Sequence, residues 1–256
     1  MEKITLSEHR IQSAGQSAGF TLVELAIVLV VIGLIVAGIL TGQDLIAQAR
    51  LRSVTGEIQQ YTASISNFRG KYLARPGDFD NAFSFWGADC AAAAATCNGD
   101  GDGQIERTSG ANEFEWLRAW QHLSLAEMIP DSVTGVIGTG IQAGVNVPES
   151  AISRNNAGYQ VYFNNAASPF NAAYGRTGTV IHLAGGAEAA AVSSYEAWSI
   201  DDKIDDSEPE SGNIRTRVAT GPTLVNCING TTDNIAPADY QVQNEDPNCQ
   251  MYFFID

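Results

Sequence analysis

Asn98, Asp100 and Asp102 alternate with glycines in the stretch CNGDGDGQIE, Cys97 to Glu106, and Gly103 closes the alternation. Oxygen-bearing side chains at every second position of a glycine-rich turn are the opening of a calcium loop of the EF-hand type. Loop positions 1, 3 and 5 supply the oxygens, position 6 is Gly, and position 7, here Gln104, offers its backbone carbonyl. The twelfth position is Ser109 instead of the bidentate Glu that normally completes the set; Glu106, Glu113 or Asp89 could substitute for it. Calcium is therefore the candidate cofactor, with Asn98, Asp100, Asp102, Gln104 and Glu106 as candidate ligands. The competing reading is a plain Gly-Asp turn. A second acidic stretch, SIDDKIDDSEPESG, holds Asp201, Asp202, Asp205, Asp206, Glu208 and Glu210. It reads first as a solvated helix end and second as another cation site.

The four cysteines are Cys90, Cys97, Cys227 and Cys249, which permit three pairings. Proximity in sequence favours Cys90–Cys97 and Cys227–Cys249. The chain-entropy estimate gives about 2.5 kcal/mol for the smaller loop and about 3.4 kcal/mol for the larger. No C-x-x-C occurs and the histidines are scattered, which argues against zinc. His122 has no histidine or cysteine near it in sequence and reads as a surface or packed residue. A Gly-rich phosphate loop, G-x-S-x-G and H-E-x-x-H are all missing, so an enzyme is not expected.

One more chemical group stands out. Phe20 to Leu40 is apolar except for Thr21 and the carboxylate of Glu24. As a helix it would be about 30 Å long, the thickness of a bilayer's hydrocarbon core. A cleaved secretory signal has a shorter apolar run and a small-residue cleavage site, and Gly42-Gln43-Asp44 provides none. A simple anchor leaves Glu24 unexplained, because an acid at membrane depth is costly without a partner.

Gly19-Phe20-Thr21-Leu22-Val23-Glu24 resembles the prepilin signature of type IV pilins and type II secretion pseudopilins. The resemblance implies that prepilin peptidase cuts between Gly19 and Phe20 and methylates the new N-terminus of Phe20. Residues 1–19 are then the leader, which is long for the family and carries Glu2 and Glu8. It also implies an assembly role for Glu24: its carboxylate pairs with the N-terminal ammonium of a neighbouring subunit and sets the axial register of a filament. Such a pair gains far more in low dielectric than in water, and an unpaired charge there is penalised. The stretches PGDFDNAFSFWG, RAWQHL and EAWSIDDKIDDSEP additionally resemble a group of larger bacterial pilin-like proteins.

The elements that position these groups follow from periodicity. Leu45, Ile46, Ala49, Val54, Ile58, Tyr61, Ile65 and Phe68 recur mostly at three- and four-residue steps, so the apolar helix continues as an amphipathic one. Pro76 is the first proline after it, which places the end near Lys71–Arg75. Gly38 and Gly42 form a G-x-x-x-G, which permits close helix contact. Further on, a helix is expected over Asn112–Met128. Strands are expected over Tyr159–Asn164, Thr179–Leu183, Asn213–Ala219 and Met251–Ile255. Ser193 and Glu196 read as the capping box of a helix reaching Ile204.

The class is therefore α+β, with a long N-terminal helix packed on an antiparallel sheet. This is also the pilin fold that the resemblance implies, with a disulfide loop stapling the C-terminal strand. The expected organisation is a leader over 1–19, a helix over 20–75 whose residues 20–40 cross a membrane or line a filament core, and a globular domain over 76–256. Charge supports that division. Residues 20–75 carry five Lys and Arg against three Asp and Glu, a net of +2; residues 76–256 carry seven against 24, a net of −17. So acidic a domain disfavours nucleic acid as a partner. The expected partners are prepilin peptidase, other pilin subunits and, before assembly, the inner membrane. The expected destination is a periplasmic or cell-surface filament. The function this implies is a minor or large pilin serving adhesion, motility or secretion. The alternatives are a type II secretion pseudopilin and a non-polymerising, membrane-tethered, calcium-dependent binding protein.

Overall fold

The structure is a computed structural model that describes residues 21–91, 93–107, 114–136, 141–152, 154–165, 176–218, 227–229 and 239–256. The chain divides into two compact units, residues 1–46 and 47–256. Helix α1, Leu22–Tyr72, contributes to both.

In the first unit every described residue is exposed except half-buried Gly42. The large apolar side chains from Leu22 to Ile46 leave about half or more of their surface uncovered. An uncovered apolar surface this long marks an interaction with a membrane or another chain. The segment is long and apolar enough to cross a membrane by length and composition.

In the second unit α1 becomes amphipathic and buries Leu51, Val54, Ile58, Tyr61, Ser64, Ile65 and Phe68. The three- and four-residue spacing puts these on one stripe. The stripe begins later than the periodicity implied. Leu45, Ile46 and Ala49 are exposed, and Leu51 is the first buried position. The three residues prolong the apolar pattern of the preceding run and stay exposed.

After α1 come two short helices, α2 at Ala82–Trp86 and α3 at Ala94–Cys97, then α4 at Glu115–Leu125. The expected start of the last at Asn112 lies outside the described residues. Strands β1 (Gly158–Asn164), β2 (Gly178–Ala184) and β3 (Val192–Ser193) lead into helix α5 (Ser194–Ile204). Strands β4 (Ile214–Val218), β5 (Ile228–Asn229), β6 (Asp239–Tyr240) and β7 (Pro247–Phe254) follow. The end of β4 anticipated at Ala219 also lies outside the described residues.

All pairings in the main sheet are antiparallel. β1 pairs with β2, and β2 pairs with β7 over Val180–Leu183. β7 also takes β4 over Ile214–Val218 and β3 at Val192 and Ser193. β5 and β6 form a separate two-stranded ribbon. β1, β2 and β7 are buried along nearly their whole length, as strands covered on both faces must be. Tyr61 of α1 sits edge-on between Trp120 of α4 and Tyr159 of β1, with ring centroids 5.0 and 5.2 Å away. The domain is therefore α+β, its core held between helix and sheet.

Ser193 and Glu196 make the capping box that the sequence indicated. Glu196 N–H donates to Ser193 Oγ at 3.2 Å, and Ser193 N–H donates to Glu196 Oε2 at 2.9 Å. Both disulfides take the sequence-local pairing, Cys90–Cys97 and Cys227–Cys249.

Candidate functional site

Gly19 and Phe20 lie outside the described residues. Glu24 sits in the first turn of α1, where it caps the helix. Its Oε2 accepts from Thr21 N–H at 2.8 Å and from Thr21 Oγ1 at 2.9 Å, while Glu24 N–H donates to Thr21 Oγ1 at 3.2 Å. Thr21-Leu-Val-Glu24 is thus a second capping box, readable as T-x-x-E but hidden by the apolar residues around it.

In the second unit the acidic loop closes against two distant segments. Asp78, from the turn after α1, offers an oxygen within 4.8 Å of oxygens from Asp100 and Asp102. Asp100, Glu106 and Glu115 form an overlapping group at the same separation. Oxygens bound to calcium at 2.3–2.6 Å lie at most about 5 Å apart, so each group has the spread one ion demands. Two glycines let the segments meet. A Cβ on Gly99 would collide with Gly77 O and Asp78 Cα. Gly103 has φ +92°, a conformation that side chains disfavour, and its N–H donates to Asp78 Oδ2 at 3.0 Å.

Asp78 is 2% exposed, and its other oxygen, Oδ1, is buried without a hydrogen-bond partner. Burial, followed by the charges of Asp102 and Asp100, pushes its pKa up to about 6 against the pull of the Gly103 and Gly101 amides. Glu115 is fully buried at the start of α4 and accepts from Asp100 N–H at 3.0 Å and Glu106 N–H at 3.2 Å. Burial, and then the adjoining Glu106 carboxyl, holds it well above the usual carboxylate range. Glu106 Oε2 is also buried, and the Glu106 carboxyl faces that of Glu115.

The candidate ligands named from sequence do not all gather here. Asp100, Asp102 and Glu106 do. Asn98 Oδ1 accepts from Phe83 N–H at 2.7 Å, so its side chain fastens the loop to α2. Gln104 N–H donates to Asp102 Oδ1 at 2.8 Å. Asp89 is exposed in a turn over Gly87–Asp89, and Ser109 and Glu113 lie outside the described residues. Asp78 and Glu115 were missed. The pair DFD at 78–80 and a lone Glu before a Trp give no spacing signal, because they reach the loop only through the fold.

His122 is buried and stacks on Phe68, with ring centroids 6.2 Å apart. Gly77 N–H donates to its Nδ1 at 3.0 Å, which leaves the proton on Nε2, 3.0 Å from Cys97 O. Though distant from any cysteine in sequence, it packs beside Cys97 in space. Burial lowers its pKa to about 4. The sulfurs of Cys90 and Cys97 are bonded to each other and cannot serve with it as thiolate metal ligands.

The second acidic stretch is tied down rather than loose. Asp205 Oδ2 accepts the N–H groups of Asn213 at 2.5 Å and Ile214 at 2.7 Å, and Asp206 Oδ1 accepts that of Glu208 at 3.0 Å. Asp201 is fully buried, accepts from Tyr240 Oη at 2.7 Å, and lies within 4.8 Å of Asp205 and Asp206. Burial raises its pKa to about 6.

Residues 15–40 match the family model described as the prokaryotic N-terminal methylation motif. No curated protein and no solved structure matches the chain.

Proposed function

We propose that this chain, type IV pilin-like by its prepilin-type methylation motif, is a structural subunit of a type IV pilus-like filament, in the minor or large class. The observation that carries the proposal is the match over 15–40 on a helix whose apolar surface has no covering within its own unit. Prepilin peptidase removes 1–19 and methylates Phe20. The helix holds the subunit in the inner membrane and then joins it to its neighbours. A Cβ at Gly38 or Gly42 would meet nothing within 4 Å, so the chain leaves this G-x-x-x-G face open for another helix. The 76–256 domain is displayed outward for adhesion, motility or secretion. This is a scaffold role, not catalysis.

Mass spectrometry of the mature protein tests the processing step. A chain beginning at N-methyl-Phe20 is expected, and one that retains 1–19 or begins elsewhere overturns the proposal. Glu24→Ala tests assembly. It should leave cleavage intact and remove the subunit from sheared filaments; wild-type incorporation would overturn the assembly role. A type II secretion pseudopilin is the second reading, favoured by the same motif, and immunolabelled electron microscopy separates it from a surface pilus.

A further inference from the structure

We propose that the cluster of Asp78, Asp100, Asp102, Glu106 and Glu115 is a calcium site that locks the loop after α1 to the start of α4. Three chain segments, at Asp78, Asp100–Glu106 and Glu115, bring five carboxylates together. Their oxygens fall into two groups that share Asp100, each within 4.8 Å. An acidic cluster alone is common at a surface. Here one oxygen, Asp78 Oδ1, is buried in it without a hydrogen-bond partner, and Asp78 is only 2% exposed.

A buried polar oxygen without a partner costs free energy, and several carboxylates brought together repel one another. A cation removes both penalties at once. Among the described residues, Asp78, Asp102, Glu106 and Glu115 form no ion pair with Lys or Arg. Arg118 donates to the Asn98 carbonyl and lies within reach of the Glu115 charge, which offsets only part of the cluster's negative charge. The donors are all oxygen, which selects a hard ion and disfavours zinc and copper. They come from a turn, a loop and a helix terminus, and five carboxylates exceed the one or two that magnesium commonly uses while suiting the six to eight oxygens of calcium.

The amide contacts explain how the ion would be held. Gly103 N–H fixes Asp78, while Asp100 and Glu106 N–H groups fix Glu115, so two of the acids are oriented by backbone before any ion arrives. This ligand set differs from the EF-hand register. Asp78 and Glu115 take the place that a twelfth-position Glu would fill, and Asn98 serves the loop instead.

The test is calorimetric titration of the full chain in detergent with CaCl2, to about 10 mM, past the millimolar class of extracellular sites. Saturable binding and a rise in Tm of about 5 °C or more over the EGTA-treated protein are expected. Asp100→Asn with Asp102→Asn, both exposed and so safe for folding, should weaken binding at least tenfold and abolish the Tm rise. Asp205→Asn with Asp206→Asn should leave both unchanged. No heat and no Tm shift in the wild type overturns the site. So does loss of binding in the 205/206 variant with retention in the 100/102 variant, which would move the ion to the end of α5.

Discussion

Tyr159 Oη donates to Glu57 Oε2 at 2.6 Å, joining β1 to the solvent edge of α1's buried stripe. Glu57 also accepts from Ser53 Oγ at 2.9 Å and from Ala151 N–H at 3.3 Å, so one carboxylate gathers helix, loop and strand. Burial raises the Tyr159 pKa well above 10, followed by the charge of Glu57, which keeps the hydroxyl a donor. Hydrogen bonds to charged groups contribute roughly 1.5–3 kcal/mol. Tyr159→Phe should therefore lower stability in urea by about 2 kcal/mol, and Glu57→Ala by more, because three donors lose their acceptor. Equal, negligible losses would mean the joint is incidental to folding.

His182 of β2 predicts the acid response. It is buried, stacked on Tyr252 at 4.1 Å between centroids, with Tyr162 Oη 3.3 Å from Nδ1 and Gln250 Oε1 3.3 Å from Nε2. Burial lowers its pKa to about 4; Arg107 and Arg217 reinforce this, while Glu188, 3.9 Å away, opposes it. The unfolded chain, with an ordinary His pKa near 6.5, binds the proton more readily than the folded one. Stability from this residue is complete above about pH 6.5 and lost as pH falls towards 4, by up to ~3 kcal/mol. Buried Asp201 acts oppositely, since its raised pKa favours folding as pH falls below about 6. In His182→Gln, the stability loss between pH 6.5 and 4 should be smaller than in wild type. An unchanged slope would place the acid sensitivity elsewhere.

The bridge Cys227–Cys249 joins the start of β5 to β7, the strand that pairs with β2, β3 and β4. Cys249 sits opposite both Val192 and Val218. Loop-closure entropy for that span is worth about 3 kcal/mol. Cys227→Ser with Cys249→Ser should lower thermal stability by about that amount and speed amide exchange in β4 and β7 ahead of β1. Exchange that rises first in β1 would show that the bridge does not govern the sheet.

How much of this was legible depended on range in sequence. The α5 capping box, both disulfides and the strands at 158–164 and 178–184 are local patterns, and local patterns were readable. β7 begins at Pro247, four residues before the apolar run that announced it, because Asn248 and Gln250 are buried polar residues. Leu45 and Ile46 share the apolar period of the amphipathic stretch yet are exposed, because an apolar period does not say what will cover it. Asp78 and Glu115 were unreadable for a different reason. Composition treats an acid as solvent-facing, and only a fold that draws Asp78 and Glu115 each to Asp100 makes either a candidate ligand.

Glu24 caps its helix, and this observed role separates by substitution from the register role proposed for it. As a cap it needs an oxygen acceptor for Thr21 N–H; as a register group it needs a negative charge to meet a neighbouring subunit's ammonium. Glu24→Gln keeps the acceptor and the shape but removes the charge, since Gln serves a capping box as Glu does. Thr21→Ala keeps the charge and removes one side of the box, at a cost of about 1 kcal/mol to the first turn. If charge pairing sets register, the Gln variant is processed normally but missing from sheared filaments, while the Ala variant is incorporated at near wild-type levels. The reverse pattern, measured by quantitative immunoblot of filament and membrane fractions, would make helix capping the reason that an acid stands in this apolar run.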